Sequence, residues 1–285
     1  MKIITITSDL GLTDHYVASL KGQLYSELGE VTLVDVSHDV QPFNIAQAAY
    51  YITNCWHEFP KGTIHFLNVD STPLIQIAKP DRNMYPVVME LKGHFFIGSD
   101  NGIFSLIPGY QDATKFVRLD FSGAGIDLRN ATKNIYIPAI KQILKGAKLE
   151  DLGEEVNSVR QAFTMQPTIE KDLIKGTVIH VDKYGNVITN ISEDLYKQVG
   201  KGNEFTILFK NSNYFINQIS DTYSDVPMGE KLALFNENGF LEIAINKGTT
   251  GSGGGANSLL GLSVKEMVRL EFHPKGSKDT IQELF

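Results

Sequence analysis

Lys2-Ile3-Ile4-Thr5-Ile6-Thr7 is a β-branched run that closes on Asp9-Leu10-Gly11, and after it Val17, Leu20, Leu24 and Leu28 recur at helical spacing. A short apolar strand, a polar turn and an amphipathic helix in that order make the first half of a β-α-β unit. Thr13 or Asp14 offers the side-chain oxygen that would cap the helix. Val31 to Val36 supplies the next strand, Ile45, Ala48, Ala49 and Ile52 repeat the helical pattern after Pro42, and Thr63 to Val69 is a further apolar strand. This alternation, continuing to about Leu149, predicts an α/β fold class: an N-terminal α/β domain with a mostly parallel sheet.

The three strands carry acids at their ends, namely Asp9, Asp35 and Asp70. In open α/β sheets ligands bind beyond the carboxyl ends of the strands, so acids placed there are candidate site residues. Each alone reads first as a loop former or helix cap; three together point to a site.

Beyond about Gln161 the texture changes to short strands at Gly176 to Asp182, Val187 to Ile191, Phe205 to Phe209, Lys231 to Phe235, Phe240 to Asn246 and Val268 to Phe272. Turns such as Asn238-Gly239 between apolar runs predict hairpins. The expected division is residues 1–165 as the α/β domain and 172–285 as a small β-barrel, with the polar segment Gln161 to Asp172 linking them.

With 285 residues, of which 42% are hydrophobic, the chain can fill two cores without disulfide or metal staples. A formal net charge of -7 and the lack of a basic stripe argue against a nucleic-acid partner. The single cysteine, Cys55, sits in an apolar stretch that reads as buried helix, which excludes an internal disulfide framework and fits a reducing, cytoplasmic setting. The opening apolar run is too short for a signal-peptide core, and no run approaches the roughly 18 apolar residues of a membrane span. Walker, zinc-helix, Cys-x-x-Cys and nucleophile-elbow signatures are missing. The seven histidines have no ligand spacing, so neither a metal nor a bound cofactor is implied; His38, after a strand, reads as a structural or a catalytic imidazole. The Gly-rich stretch Gly248 to Ala256 lacks the β-α-β context of a dinucleotide fingerprint and reads as a loop.

Asp182-Lys183-Tyr184-Gly185-Asn186 is more specific, because an acid, an aromatic ring and an amide share one tight turn between strands. Such a turn either presents these groups to a ligand with hydroxyl, ammonium and aromatic parts or is an Asx-type hairpin.

Thr7-Ser8-Asp9-Leu10-Gly11, Asp14, Tyr16-Val17 and Lys21-Gly22 resemble the opening motif of the S-adenosylmethionine (SAM) hydroxide adenosyltransferases, relatives of the fluorinases and chlorinases. Further matches follow in order: Val34-Asp35-Val36-Ser37-His38, Phe59-Pro60-Lys61-Gly62-Thr63-Ile64-His65, Val69-Asp70, Ser99-Asp100-Asn101-Gly102-Ile103, Asp182 to Asn186, and Gly239 to Asn246. The ordered set spans most of the chain.

The resemblance implies an N-terminal α/β domain, a C-terminal β-barrel, and a homotrimer with each site between neighbouring subunits. It also implies cleavage of SAM at its ribose 5′-carbon by water, hydroxide or halide. Asp9 would hold the ribose hydroxyls, Asp182 and Asn186 the methionine portion, Tyr184 would give an aromatic contact, Phe43 would line the site, and Asp70 would be the catalytic acid.

The chain departs from the family where the hydrolases carry an arginine after that Asp and a histidine further on. Ile77 and Ala131 stand at those two positions. Alanine at 131 also lacks the serine hydroxyl of a halide pocket, which favours a hydrolase over a halogenase. Arg82, Arg129, Lys133 and His94 are the residues available as substitutes. Besides a different nucleophile or adenosyl acceptor, for which Ser71 and Thr72 beside Asp70 are the only hint, two functions lead: a SAM hydrolase giving adenosine and L-methionine, and a protein that binds SAM or adenosine without turnover. Neither needs a cofactor, since SAM is itself the substrate or ligand, and neither involves a membrane.

Overall fold

Strands Ile3–Ser8 (β1), Thr32–Ser37 (β2), Ile64–Asn68 (β3), Pro86–Leu91 (β4), His94–Ser99 (β5), Lys115–Leu119 (β6) and Gly153–Val156 (β7) form one sheet in the order β2-β1-β3-β5-β4-β6-β7. The structure, a computed structural model, describes residues 1–76, 82–121, 128–209, 214–249 and 254–276. The chain divides into two units, Met1–Thr164 and Met165 onward.

In the first unit β2, β1, β3 and β5 run parallel. The crossovers carry helices Tyr16–Leu28 (α1) and Ile45–Thr53 (α2), as the alternating pattern requires. The remaining pairings, β5 to β4, β4 to β6 and β6 to β7, are antiparallel, which makes the sheet mixed. The reversal occurs at Lys92-Gly93, two residues with positive φ (51° and 83°) between the paired Leu91 and His94. A two-residue loop with both residues left-handed matches the twist of the strands it joins.

Strand alternation divides the core between the two faces of the sheet. Ile4, Ile6, Ile64, Phe66 and Ile97 pack with Leu20 and Leu24 of α1 and with Ile140 of helix Ile137–Leu144 (α3). Leu67, Val69, Phe96, Val87 and Met89 pack on the other side with Ala48, Ala49 and Ile52 of α2. Three local expectations change. The N-cap of α1 is His15, with no side-chain capping bond, so neither Thr13 nor Asp14 caps it. Asp35 lies inside β2 rather than at its end, and Cys55 lies just past α2, with its thiol pushed up by burial.

In the second unit, strands Thr168–Glu170 (β8), Leu173–Val181 (β9), Val187–Ser192 (β10), Glu204–Leu208 (β11), Phe215–Ile216 (β12), Lys231–Phe235 (β13), Phe240–Ile245 (β14) and Met267–His273 (β15) form an antiparallel sheet. Its order is β12-β11-β15-β9-β10-β14-β13, with β8 beside β9. A bridge between Ile219 and Ala233 draws the β12 and β13 ends together, so the sheet is nearly a closed barrel around Ile174, Val187, Ile207, Ile243 and Leu270. Helix Glu193–Gly200 (α4) follows β10, its first turn capped by the Ser192 hydroxyl accepting from Leu195 N–H. Among the described residues no helix is long and apolar enough to cross a membrane.

At the amino ends of β3 and β5 two buried histidines stack with ring centroids 5.3 Å apart. His65 shares a 2.8 Å bond with Thr5 Oγ1 and a 3.1 Å bond with His94 Nδ1. Burial, and then the neighbouring His94, push His65 down to about 3. Because the unfolded chain takes up this proton near pH 6.5 and the fold does not, stability holds above that pH and drains as pH falls below it. Denaturant unfolding should lose about 1.4 kcal/mol per pH unit below about 6.5 from this one residue. His65→Gln should flatten that slope between pH 6 and 4; an unchanged slope would remove His65 as its source.

Candidate functional site

Asp9 follows β1 and Asp70 follows the neighbouring parallel strand β3 by two residues, which places both acids beyond the carboxyl edge of the sheet. Asp70 is half-buried, and burial, followed by the negative charge of Asp9, raises its carboxyl above the usual range. A carboxyl raised by a neighbouring carboxylate forms with it a site suited to a cation or to accepting a proton.

Asp9 Oδ2 accepts the backbone N–H of Phe43 at 2.9 Å. That contact fixes Phe43 at φ 63°, in the left-handed region that a bulky residue enters at a cost of about 1–2 kcal/mol. Phe43 is 72% exposed. A strained, exposed aromatic tied to an acid is placed to meet a ligand rather than to fill a core.

The turn that carries Asp9 is held from below. Ser8 Oγ lies 2.6 Å from His38 Nδ1, His38 Nε2 lies 3.1 Å from Asp35 Oδ1, and Lys21 Nζ donates to Asp35 Oδ2 at 2.5 Å. Burial alone would raise the Asp35 carboxyl, but the bonds from Lys21 and His38 hold it below the usual range. Gly11 N–H donates to the His38 carbonyl at 2.8 Å, so His38 has a structural place under the Asp9 turn. Asp35 is consumed by this ion pair and is not with Asp9 and Asp70 as a third free acid.

Asp70 is also left-handed, at φ 44°. Asn101 Nδ2 donates to the carbonyls of Val69 and Asp70 at 3.0 and 3.2 Å, and Ser71 Oγ donates to Asn68 Oδ1 at 2.6 Å. The loop that follows is closed at its base by the Leu74 to Met84 bridge and by Gln76 N–H donating to Asn83 Oδ1 at 2.5 Å. Ile77, at the expected arginine position, lies outside the described residues. Ala131 is 7% exposed and belongs to the apolar core beside α3, so its methyl group fills the interior. His94 is excluded as a substitute: it opens β5, level with the start of β3, at the end of the sheet opposite Asp70. Arg82, Arg129 and Lys133 are exposed.

In the second unit, Asp182, Tyr184 and Asn186 are brought together in the turn between β9 and β10. Asp182 Oδ1 accepts the N–H groups of Tyr184 and Asn186, both at 2.8 Å, and Oδ2 accepts Asn186 Nδ2 at 3.0 Å. The turn is thus an Asx-type turn, and it also presents Tyr184 at 64% exposure beside a half-buried carboxylate. Part of the Gly-rich stretch packs directly on it. A Cβ at Gly255 would stand 2.6 Å from the Tyr184 carbonyl and 2.7 Å from Gly185 Cα, so only glycine fits there. Residues 250–253 of that stretch lie outside the described residues.

Behind the turn, Glu242 of β14 accepts the Tyr223 hydroxyl at 2.6 Å, and burial, with the charge of Asp182 adding, raises its carboxyl despite the bonds from Tyr223 and Asn236. Sequence reading missed Asn101, Tyr223 and Glu242 as neighbours of these groups. Asn101 and Glu242 sit in quoted motifs, and an acid in the apolar strand Phe240–Ile245 is itself a signal of a buried polar partner. Among the described residues no cluster of metal-ligating side chains is present.

Residues 4–153 match the family model of the SAM hydroxide adenosyltransferase N-terminal domain, and residues 176–269 match that of its C-terminal domain. An (R)-S-adenosyl-L-methionine hydrolase of Methanocaldococcus jannaschii is 28% identical over 254 residues, covering 86% of this chain and 88% of that protein. A fluorinase of Actinopolyspora mzabensis is 28% identical over 271 residues, with 86% and 90% covered. In fold, a crystal structure of a conserved protein from Thermotoga maritima aligns with a TM-score of 0.78 at 23% identity, over 94% of this chain and 99% of that one. One from Thermus thermophilus aligns with a TM-score of 0.66 at 26% identity, over 95% and 100%.

The strain at Phe43 has a measurable consequence. Phe43→Asn puts a residue tolerant of the left-handed region at an exposed position and should gain up to about 1 kcal/mol in denaturant unfolding. Equal or lower stability in the variant would show that the ring, not the backbone, dominates at this position.

Proposed function

The chain belongs to the SAM hydroxide adenosyltransferase family, and on that premise we propose that it is a SAM hydrolase, in which water or hydroxide attacks the ribose 5′-carbon to give adenosine and L-methionine. The observation that carries this reading is the placing of Asp9 and Asp70 just beyond the ends of neighbouring parallel strands, with the charge of Asp9 acting on Asp70. Asp9 is assigned to the ribose hydroxyls and Phe43 to the wall beside them, while Asp182, Asn186 and Tyr184 are assigned to the methionine end. Asp70 is assigned to the attacking water. Its raised carboxyl is, when ionised, a better proton acceptor than an ordinary carboxylate.

The balance is simple. Oxygen of water bonds to the 5′-carbon as the carbon–sulfur bond breaks, the electron pair goes to sulfur and makes methionine, and the proton passes through Asp70 to solvent. Sulfonium is already a good leaving group, so positioning and water exclusion carry most of the work. A homotrimer acting in the cytoplasm, with sites between neighbouring subunits, belongs to the same proposal, and light scattering of the purified protein tests the trimer.

Burial of Ala131, where a family histidine is expected, favours a second reading: a protein that binds SAM or adenosine without turning it over. Mass spectrometry of SAM incubated with the protein separates the two. Hydrolysis predicts adenosine and methionine in equal amounts, lost on the order of a hundredfold or more in Asp70→Asn. Intact SAM recovered from a saturated complex would establish the second reading instead.

Turnover should fall as pH drops through the raised pKa of Asp70, because the protonated acid accepts nothing. The same shift means that folding loses stability as pH rises through that pKa, since the fold favours the neutral form. Asp70→Asn, neutral at every pH and suited to φ 44°, should therefore melt higher than the parent at pH 7 while losing activity.

A further inference from the structure

Three successive carbonyls around Asp70 are held by side chains from elsewhere in the first unit. Asn101, just past β5, takes Val69 and Asp70, and Tyr136 takes Ser71, its hydroxyl donating at 2.8 Å. Tyr136 is wholly buried. Its ring packs on Phe66 of β3 with centroids 5.4 Å apart, and burial raises its phenol, with the Ser99 hydroxyl partly offsetting.

The backbone over Thr132–Tyr136 is wound as a π-helix directly before α3. A wider turn displaces the side chains that follow it, and such turns recur at functional sites. Here the displaced residue brings a hydroxyl to the carbonyl that follows Asp70. Nothing in the proposed chemistry requires a phenol at this place, and a buried tyrosine could meet its hydrogen-bonding need at other carbonyls.

A non-glycine residue at φ 44° persists only where its surroundings over-determine it. We propose that Tyr136, with Asn101 as its counterpart on the other side, is a positioning residue for Asp70, holding the Val69–Ser71 backbone so that the carboxylate stays beside Asp9 and aimed at the nucleophile. This rests on the assignment of Asp70 to the attacking water. Released from the bond, the turn relaxes toward ordinary backbone geometry and the carboxylate swings into solvent.

Tyr136→Phe removes one hydroxyl and keeps the ring, and Asn101→Ala removes the opposite hold if the first variant folds poorly. In Tyr136→Phe, kcat for SAM should fall roughly ten- to a hundredfold with KM within about twofold, the signature of lost alignment rather than lost binding. The acid limb of the kcat profile should also move to lower pH.

Carbon-13 NMR titration of the Asp70 carboxyl, identified by its absence in Asp70→Asn, reads the same effect without turnover. The Tyr136→Phe protein should titrate Asp70 closer to an ordinary carboxylate. A parent that does not cleave SAM would defeat the hydrolase assignment, yet the titration would still decide the positioning role. An Asp70 titration unchanged in both folded variants overturns the proposal, whatever the activity.

Discussion

Two carboxylates on adjacent strands repel each other, and the architecture around the carboxyl edge of the first sheet is arranged to keep them together. Asp9 and Asp70 follow β1 and β3, which pair in parallel through Ser8 and Asn68, so both acids leave the same edge of the sheet. The repulsion is visible in Asp70, whose carboxyl is raised by burial and by Asp9. Each acid then has its own restraint: the Phe43 N–H holds the Asp9 side chain, and held carbonyls fix the Asp70 backbone. Strain appears at Phe43 and Asp70, where an unconstrained chain would relax.

Charge also sets what such a pair can do. Two anions attract a sulfonium cation, but that attraction weakens as the carbon–sulfur bond breaks and the positive charge disappears. Electrostatic binding of this kind therefore favours the ground state, and rate must come from groups that act on the nucleophile. This is why Asp9 and Asp70 need different roles despite similar surroundings. Asp9, already accepting a backbone N–H, is suited to binding, and Asp70, whose carboxyl is raised, is suited to the water.

Much of this was legible from residue pattern. The β-branched runs and helical spacings up to Val69 define three of the four parallel strands, β1, β2 and β3, because each crossover needs a helix and the helices have clear apolar faces. The antiparallel half was not read, although Lys92-Gly93 between two apolar runs is a hairpin signal of the same kind as Asn238-Gly239. The site was legible as acids at strand ends. Its supports were not, since Tyr136 and Ser71 are 65 positions apart and their bond depends on a π-turn that no periodicity reveals. Asp35 illustrates the reverse error: an acid near a strand end that is spent on Lys21 and His38.

The residues at 77 and 131 deserve a second physical reading besides loss. An arginine beside a carboxylate stabilises its ionised form and lowers its pKa, often by 1–3 units, which weakens it as a base. With isoleucine at 77 and alanine buried at 131, the charge that acts on Asp70 among the described residues is that of Asp9, and its effect runs the other way. A carboxylate held by its backbone rather than by a cation gives up electrostatic stabilisation of its position and gains basicity. Proton acceptance is most effective when the acceptor's pKa approaches the working pH, so the two changes have opposite effects on turnover. Their balance turns on how rigidly the Val69–Ser71 backbone is fixed, because basicity helps only a carboxylate that stays within reach of the water.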